Sequence, residues 1–208
     1  MMAQLDLFSS EAKIPKNKFD ALNKVKGLVY CENYISSEEH FNLLHFIDNQ
    51  DWLGDLKRRV QHYGYKYDYK SRKIDYSMFI GDLPAWASHL AQRLYNDGYI
   101  NSIPDQVIVN EYLPGQGIAH HIDCVPCFDD TIISLSLGSP CIMDILYKFD
   151  RTLRVEVLLE PRSLIVLKGE SRYKWLHGIS ARKIDNFNGI SFNRERRVSL
   201  TFRKVIIE

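Results

Sequence analysis

Residues 106–123 read QVIVNEYLPGQGIAHHID, and this stretch indicates two short strands joined by a turn. The runs at 106–112 and 118–123 flank Pro-Gly-Gln-Gly, a composition typical of a connecting loop. Side chains two positions apart in a strand point to the same face, so the side chains of His121 and Asp123 should converge. Imidazole and carboxylate are metal ligands, and His177, which follows a predicted core strand, is the best candidate for the third ligand. Two histidines and one carboxylate leave coordination positions open.

Further predicted strands follow toward the C-terminus. They are separated by turns containing Gly, Pro or Asp, with no helical pattern between them. Together with the first two, the predicted strands are residues 106–112, 118–123, 131–137, 141–148, 153–159, 163–167 and 198–207. Such a series favours an antiparallel sandwich or jelly roll. We therefore predict a mainly β protein with flanking helices, of the α+β class.

Two helices are predicted in the N-terminal half. Ser36 and Glu39 form a capping box that starts the first one, and apolar residues follow at helical spacing, which predicts a face turned toward the core. These apolar residues are Phe41, Leu43, Leu44, Phe46 and Ile47. The second helix is predicted from Pro84 to about Tyr95, because proline suits the first helical turn and Gly98 lies just past the end.

The composition is that of a folded globular protein. The chain has 208 residues, of which 45% are hydrophobic and 25% charged, which argues against a disordered or fibrous protein. The formal net charge of +1 argues against a protein that coats nucleic acid through bulk charge. No apolar run approaches the roughly 18 residues of a membrane span, and from residues 1–13 we expect no secretory signal. We expect a cytoplasmic monomer with reduced thiols.

Four motifs occur in a specific order and spacing. The first motif is the block N-x-Y-x-P-G followed by H-x-D, which fits residues 110–115 and 121–123. The other segments are Ser134-Leu135-Ser136-Leu137-Gly138, Gly169-Glu170-Ser171-Arg172 leading to His177-Gly178-Ile179, and residues 197–203, RVSLTFR. From about Gly27 to the C-terminus the chain resembles the AlkB family of Fe(II)/2-oxoglutarate dioxygenases. The resemblance implies a dioxygenase domain at 27–208 that follows an N-terminal arm at 1–26. Within this domain, N-terminal helices and a nucleotide-recognition lid at about 57–76 would precede a double-stranded β-helix (jelly-roll) core at about 104–207.

The resemblance also implies a metal centre and its chemistry. His121, Asp123 and His177 would hold Fe(II) and leave positions open for 2-oxoglutarate and O₂. Oxidative decarboxylation of 2-oxoglutarate to succinate would accompany hydroxylation of a C–H bond on the substrate. Hydroxylation of an N-methyl group releases formaldehyde, which is demethylation, whereas hydroxylation of a carbon-attached group leaves a stable alcohol.

Five residues would bind the cosubstrate or act beside it. Arg197 would pair with the distal carboxylate of 2-oxoglutarate, because a guanidinium fork matches a carboxylate. Asn110 and Tyr112 share a strand face and would donate hydrogen bonds to the cosubstrate. Arg203 would lie near the iron and the cosubstrate on the face of Arg197, and its alternative role is a salt bridge to the ligand carboxylate. Ser199 stands where the family motif has asparagine, so its hydrogen bond must differ.

The substrate is left open by the resemblance. The first function is oxidative demethylation of alkylated bases in DNA or RNA, as in alkylation repair. However, Val125 stands where some base-demethylating members carry an acidic residue. Residues 115–118, 169–173 and 178–185 resemble a branch that hydroxylates a modified wobble uridine in tRNA, which is the second function. A non-catalytic nucleic-acid-binding module is a third, and the complete set of motif residues argues against it.

A basic, tyrosine-rich segment at residues 57–73 is the predicted nucleic-acid contact. It contains seven Lys or Arg and one Asp, a local charge of +6, which leaves −5 on the rest of the chain. Alternating tyrosines from 63 to 69 would project from one face of an extended strand. Cations bind phosphates and aromatic rings stack on bases, so a single strand or a flipped base is the expected partner. The predicted contacts are Lys57, Arg58, Arg59, Tyr63, Tyr65 and Tyr67. The alternative is a half-buried strand whose tyrosines pack on the core.

Two shorter signals remain. Residues 4–8, QLDLF, resemble the peptide by which bacterial repair proteins bind the sliding clamp; alternatively, Leu7 and Phe8 fix the arm to the domain. Cys124 and Cys127 have the C-x-x-C spacing of zinc ligands but lack a second pair, so free thiols near the metal site are expected.

Overall fold

The computed structural model describes residues 22–54, 57–68 and 73–207. Within these ranges the strands, in chain order, are β1 (Leu28–Cys31), β2 (Val60–Tyr65), β3 (Phe79–Gly81), β4 (Gln106–Tyr112), β5 (Ile118–His121), β6 (Phe128–Gly138), β7 (Cys141–Tyr147), β8 (Arg154–Leu159), β9 (Leu164–Lys168), β10 (Trp175–Ile179), β11 (Ile184–Phe187), β12 (Ile190–Asn193) and β13 (Arg197–Val205). The helices are α1 (Ser37–Asp48), α2 (Ala85–Asn96) and the short α3 (Glu170–Tyr173), with a 3₁₀ turn at Tyr76–Met78. None of the helices in the described part of the chain is long and apolar enough to cross a membrane.

Two antiparallel sheets form the core. The larger has the strand order β1-β9-β6-β13-β4-β2-β3, and the smaller has the order β5-β10-β7-β8. Strands β11 and β12 form a separate hairpin. Apolar residues from both sheets share one buried cluster, which includes Tyr112 and Ile165 of the larger sheet and Met143 and Ile179 of the smaller. The predicted jelly-roll core is confirmed.

The larger sheet separates an apolar outer face from a partly polar inner face. In β13, Val198, Leu200 and Phe202 join the cluster that α1 and α2 cover. The residues between them point the opposite way and line the space between the sheets. Strand β4 follows the same rule. Two-residue alternation in two neighbouring strands therefore gathers polar side chains on one inner surface.

Both predicted helices are present. Ser36 caps α1 with the predicted capping box, and Pro84 precedes the first residue of α2. The core-facing interpretation of the α1 stripe was only partly right. Leu43 and Ile47 are buried, but Phe41 and Phe46 are 68% and 49% exposed. The stripe is wider than the surface that α1 turns toward the sheet, so its edge residues remain in solvent.

The seven predicted strands are present, and six of them have shifted ends. The second one ends at His121, two residues earlier than predicted. Strand β10 was missed because it is short and contains Gly178, which weakens the strand signal. At that position an added Cβ would lie 2.9 Å from the His120 ring, so the glycine permits close approach of β5. Leu22 and Val25, which fall within the predicted N-terminal arm at 1–26, are also buried in the core.

Candidate metal and cosubstrate site

A cavity of about 630 Å³ lies between the two sheets. This volume is in the range of small-molecule sites. Its walls combine apolar side chains with the polar inner faces of β4, β13 and β5. The polar and charged lining residues include Arg58, Asn110, Tyr112, His120, His121, Asp123, Ser134, Lys148, His177, Arg197, Ser199, Thr201 and Arg203. The cavity thus brings together the residues that the sequence assigned to metal and cosubstrate binding.

His121, Asp123 and His177 converge at this cavity. One potential ligand atom from each lies within 4.8 Å of the others. His121 and His177 are register partners in the pairing of β5 with β10, and their ring centroids are 4.4 Å apart. Asp123 lies beyond the end of β5, yet its Oδ1 is 3.7 Å from Nε2 of His121. The H-x-D spacing therefore brings both side chains to one point, although only the histidine belongs to the strand.

The protonation states suit a cation. Burial, together with the His121 imidazole, lowers the pKa of His177 to about 3, so the ring is neutral at physiological pH. Nδ1 of His121 is 2.8 Å from the carbonyl oxygen of Ala119. A carbonyl can only accept, so Nδ1 carries a proton and Nε2 is the ring nitrogen that could bind a metal. A neutral imidazole such as that of His177 is the form that binds a metal.

Asp123 is held ionised in a buried position. Burial by itself raises the pKa of the Asp123 carboxyl, but the opposite charge of Arg203 outweighs it, so the pKa lies below its ordinary value. Nη2 of Arg203 donates to Oδ1 over 3.2 Å. Oδ2 is buried and has no hydrogen-bond partner among the described residues. A buried carboxylate oxygen without a partner fits the role of a metal ligand.

Arg203 therefore forms the salt bridge that the sequence indicated as its alternative role. Its Nη1 also donates to Oε1 of Gln106 over 3.2 Å, and its guanidinium lies 4.7 Å from the centroid of the Phe128 ring. It also lines the cavity, so it touches both the carboxylate ligand and the space beside it.

Arg197 fits the binding of a carboxylate. The side chain is only 3% exposed, and Nη2 donates to the Ser136 hydroxyl over 3.0 Å. Its Nε is buried without a partner, and no carboxylate pairs with it in the described part of the chain. A buried guanidinium with unused donors is costly unless an anion enters. The cavity thus fits an anionic cosubstrate at Arg197.

Asn110, Tyr112 and Ser199 surround that position. Ser199 lies opposite Asn110 in the β4–β13 register, and Tyr112 lies opposite Arg197. The centroid of the Tyr112 ring is 5.4 Å from the Arg197 guanidinium. All four line the cavity, so the structure brings the sequence-predicted cosubstrate residues together.

The predicted nucleic-acid segment is divided between two sides of the sheet. Tyr63 packs against the helix-covered cluster, whereas Tyr65 and Tyr67 pack against the cluster that contains Phe128. The prediction that these rings share one face was therefore wrong. Gly64 has a φ of +79°, and the β2–β3 register shifts beside it, which breaks the two-residue period.

The first three cations of this segment, Lys57, Arg58 and Arg59, differ in their contacts. Lys57 is exposed. Nε of Arg58 donates to Oδ1 of Asn110 over 2.9 Å, inside the cavity. Arg59 forms a two-point ion pair with the buried Glu111, at 2.6 and 2.8 Å. The sequence treated the three as one cluster, but Arg58 faces the cavity and Arg59 is already paired.

Cys124 and Cys127 form a disulfide, which corrects the expectation of free thiols. The turn between β5 and β6 brings their Cα atoms to 5.3 Å, within the range that a disulfide bridges. The possible clamp-binding peptide at residues 4–8 and Tyr69 lie outside the described residues.

One cavity cation, Lys148, and one buried arginine, Arg172, were not predicted as site residues. Lys148 lies just past the end of β7, and no local pattern marked its position at the cavity. Arg172 belongs to the motif Gly169–Arg172 but received no role from the sequence. Its guanidinium donates to the backbone oxygens of Asp123 and Cys124 at 2.9 and 3.1 Å. A charged residue in that motif was the only available signal.

The comparisons with known proteins agree with this site. Residues 18–203 match the 2OG-Fe(II) oxygenase superfamily. The tRNA (carboxymethyluridine(34)-5-O)-methyltransferase ALKBH8 of Mus musculus is 42% identical over 203 residues, which cover 86% of this chain and 30% of that protein. The alkylated DNA repair protein ALKBH8 homolog of Arabidopsis thaliana is 36% identical over 214 residues, which cover 92% of this chain and 62% of that protein.

The fold also has a solved counterpart. The structure of OsALKBH1 superposes with a TM-score of 0.67 at 17% identity, covering 86% of this chain and 96% of that one. This likeness concerns the fold alone. The chain spans 30% and 62% of the lengths of the two curated relatives. With the superfamily matched over residues 18–203 and AlkB homologues among its relatives, the chain belongs to the AlkB family of 2OG-Fe(II) oxygenases.

Proposed function

We propose that this dioxygenase oxidises alkyl groups on nucleobases, with demethylation of alkylated DNA or RNA as its first function. One observation carries the proposal: His121, Asp123 and His177 converge within 4.8 Å beside a cavity that also holds two buried arginines. The Arabidopsis relative named for repair of alkylated DNA supports this choice of substrate.

The metal would be held by Nε2 of His121, the unpartnered Oδ2 of Asp123 and the His177 imidazole. Bound there, Fe(II) together with 2-oxoglutarate supplies the activation of O₂ and the hydroxylation of a C–H bond. Arg203 keeps the Asp123 carboxylate charged and fixes Oδ1. The Ala119 carbonyl fixes the tautomer of His121. These contacts set the ligand atoms before the metal arrives.

The cosubstrate would be oriented by the inner face of β4 and β13. Arg197 would bind the distal carboxylate with its unused donors. Oδ1 of Asn110 already accepts from Arg58, so Asn110 would donate through its Nδ2. Ser199 is shorter than the asparagine of the family motif and would leave more of the binding to Arg197 and Tyr112.

The nucleobase would enter where Arg58, Tyr67 and Lys148 line the cavity. Lys57 and Lys148 are exposed and would contact phosphates near the mouth. Tyr67 would provide an aromatic wall for the base. A base inside a duplex cannot reach a cavity between two sheets, so the substrate would be single-stranded or flipped out.

The charge of the cavity favours a second function. Arg58, Lys148, Arg197 and Arg203 line it, whereas Asp123 is its one lining carboxylate among the described residues. Cations repel a positively charged base such as 1-methyladenine but tolerate a neutral or acidic substituent. Because the mouse relative is named for carboxymethyluridine at tRNA position 34, the second function is hydroxylation of a wobble-uridine side chain.

Mass spectrometry of nucleosides tests both functions. The chain would be incubated with Fe(II), 2-oxoglutarate and O₂ and, separately, methylated DNA, methylated RNA or bulk tRNA. Loss of CH₂ with release of formaldehyde would support demethylation, and gain of one oxygen atom on a uridine would support hydroxylation. The His121→Ala variant is the control. Unchanged nucleosides in all three substrates, in a preparation that forms succinate, would contradict the nucleic-acid assignment.

A further inference from the structure

Arg172 is the largest side chain that is almost completely buried, with 2% of its surface exposed. An arginine at that depth normally pairs with a carboxylate. Arg172 instead donates to two consecutive backbone carbonyls, from Nη1 to Asp123 over 2.9 Å and from Nη2 to Cys124 over 3.1 Å. Its Nε has no partner among the described residues. The hydrogen bonds of the buried Arg172 guanidinium are therefore made to the backbone of residues 123–124.

That piece of backbone carries a metal ligand that no strand supports. Strand β5 ends at His121, and the β5–β10 register pairs the residues Ile118 and His121 but not Asp123. Two contacts hold Asp123. Arg203 binds its carboxylate, whereas Arg172 binds its main-chain carbonyl. The position of the carboxylate thus depends on side-chain hydrogen bonds.

Arg172 also connects the two parts of the triad. It lies in α3, which leads directly into β10, and His177 is five residues further along. The helix is itself anchored, because the Ser171 amide donates to the carbonyl of Lys26 and its hydroxyl bonds to Lys168. One side chain therefore ties the segment that carries His177 to the turn that carries Asp123.

We propose that Arg172 is a positioning residue that sets the distance and orientation of Asp123 relative to His177, and thereby the affinity of the triad for its metal. The inference rests on the proposed iron site. The planar guanidinium reaches two adjacent carbonyls at once, which the single ammonium of lysine does not reproduce. Its loss would leave the two carbonyls without their donor and release the turn.

The test measures Co(II) binding to the metal-free protein. Titration calorimetry gives the affinity, and visible absorption of the bound ion reports its coordination. Arg172→Lys keeps the charge and should weaken binding about 10- to 100-fold, the usual effect of removing a contact that orients a metal ligand. Arg172→Met should weaken it further and change the absorption spectrum. Arg194→Lys is the matched control, because Arg194 is also buried but pairs with Asp185, away from the triad.

The controls separate the possible failures. Thermal unfolding measured on the same samples shows whether each variant is folded, and Arg172→Lys decides the question if Arg172→Met does not fold. Wild-type affinity and spectrum in Arg172→Lys would overturn the positioning role. An equal loss of affinity in Arg194→Lys would also overturn it, because general destabilisation would then suffice. The proposed metal site itself would be contradicted if the wild-type protein did not bind Co(II), or if His121→Ala bound it as tightly as the wild type.

Discussion

His121 and His177 face each other across the antiparallel pairing of β5 with β10, with ring centroids 4.4 Å apart. Backbone hydrogen bonds between two strands fix this pair, so two of the three candidate ligands are set by the sheet itself. Asp123 is set by Arg203 and Arg172 instead. The site therefore combines a rigid pair with a ligand whose position depends on arginines.

Removal of Arg197 should abolish tight binding of 2-oxoglutarate. The Arg197→Ala variant loses the buried guanidinium that has no carboxylate partner in the described chain, so the Kd for 2-oxoglutarate should rise on the order of a hundredfold, roughly 3 kcal/mol. Arg197→Lys should recover part of the loss, since it keeps the charge but not the fork. Calorimetric titration with 2-oxoglutarate measures this directly. An unchanged affinity in Arg197→Ala would remove Arg197 from the cosubstrate site.

Asp185 should make the fold sensitive to acid. Its buried carboxylate accepts hydrogen bonds from Arg194, Arg182 and the amide of Ile142. Burial alone raises the pKa of Asp185, but the hydrogen bonds from Arg194 outweigh it and hold the pKa below the ordinary 3.8. The stabilisation is therefore complete above about pH 4 and is lost as the pH falls through the lowered pKa.

Neutralising this carboxylate tests that pH dependence. Asp185→Asn should lower the free energy of unfolding at pH 7 by about 3–5 kcal/mol, because it leaves the buried Arg194 without its anion. The difference from wild type should shrink as the pH falls below about 4. The matched control is Asp51→Asn, at an exposed aspartate. Denaturant unfolding across pH measures the stability of each variant. Equal stabilities of Asp185→Asn and wild type at pH 7 would show that the ion pairs of Asp185 contribute nothing.

Nucleic-acid binding should depend on the exposed cations near the cavity. Replacement of Lys57 and Lys148 by alanine should weaken binding of a single-stranded oligonucleotide and reduce the slope of log affinity against log salt by about 0.7 for each phosphate that is no longer neutralised. Succinate formation without substrate should be nearly unchanged. The control is Lys24→Ala, which removes one charge from an exposed lysine that does not line the cavity. An identical salt slope in the double variant would place the nucleic-acid interface elsewhere.

The sequence predicted those parts of the site that depend on short-range periodicity. Strand β4 has the predicted bounds, and alternation in β4 and β13 placed Asn110, Tyr112, Arg197 and Arg203 on one inner surface, as the structure shows. The H-x-D spacing likewise brought Asp123 to His121. These relations need only a few residues of chain, so local pattern was sufficient.

Relations between distant segments were not predictable in this way. Arg59 pairs with Glu111, 52 residues away, and no local pattern distinguishes it from Arg58, which points into the cavity. The positive φ of Gly64 places the side chains of Tyr63 and Tyr65 on opposite sides of the sheet, where regular alternation predicts the same side. The role of Arg172 depends on where β5 ends, since only a turn leaves carbonyls for it to bind. Such features are decided by tertiary packing.

The three converging ligands should each be essential for the reaction. His121→Ala, Asp123→Ala and His177→Ala should each lower metal affinity and abolish succinate formation, because each removes one of the three protein ligands. His89→Ala is the matched control, since His89 is exposed on α2 and does not line the cavity. All four variants should keep a cooperative thermal transition.

The decisive measurement is Fe(II)-dependent succinate formation from 2-oxoglutarate by the wild-type chain and by His121→Ala. We predict succinate in the wild-type reaction, its disappearance on chelation of the metal, and none above background in His121→Ala. Succinate formed equally by the wild-type protein and His121→Ala would contradict the assignment of the His121, Asp123 and His177 cluster as the metal centre.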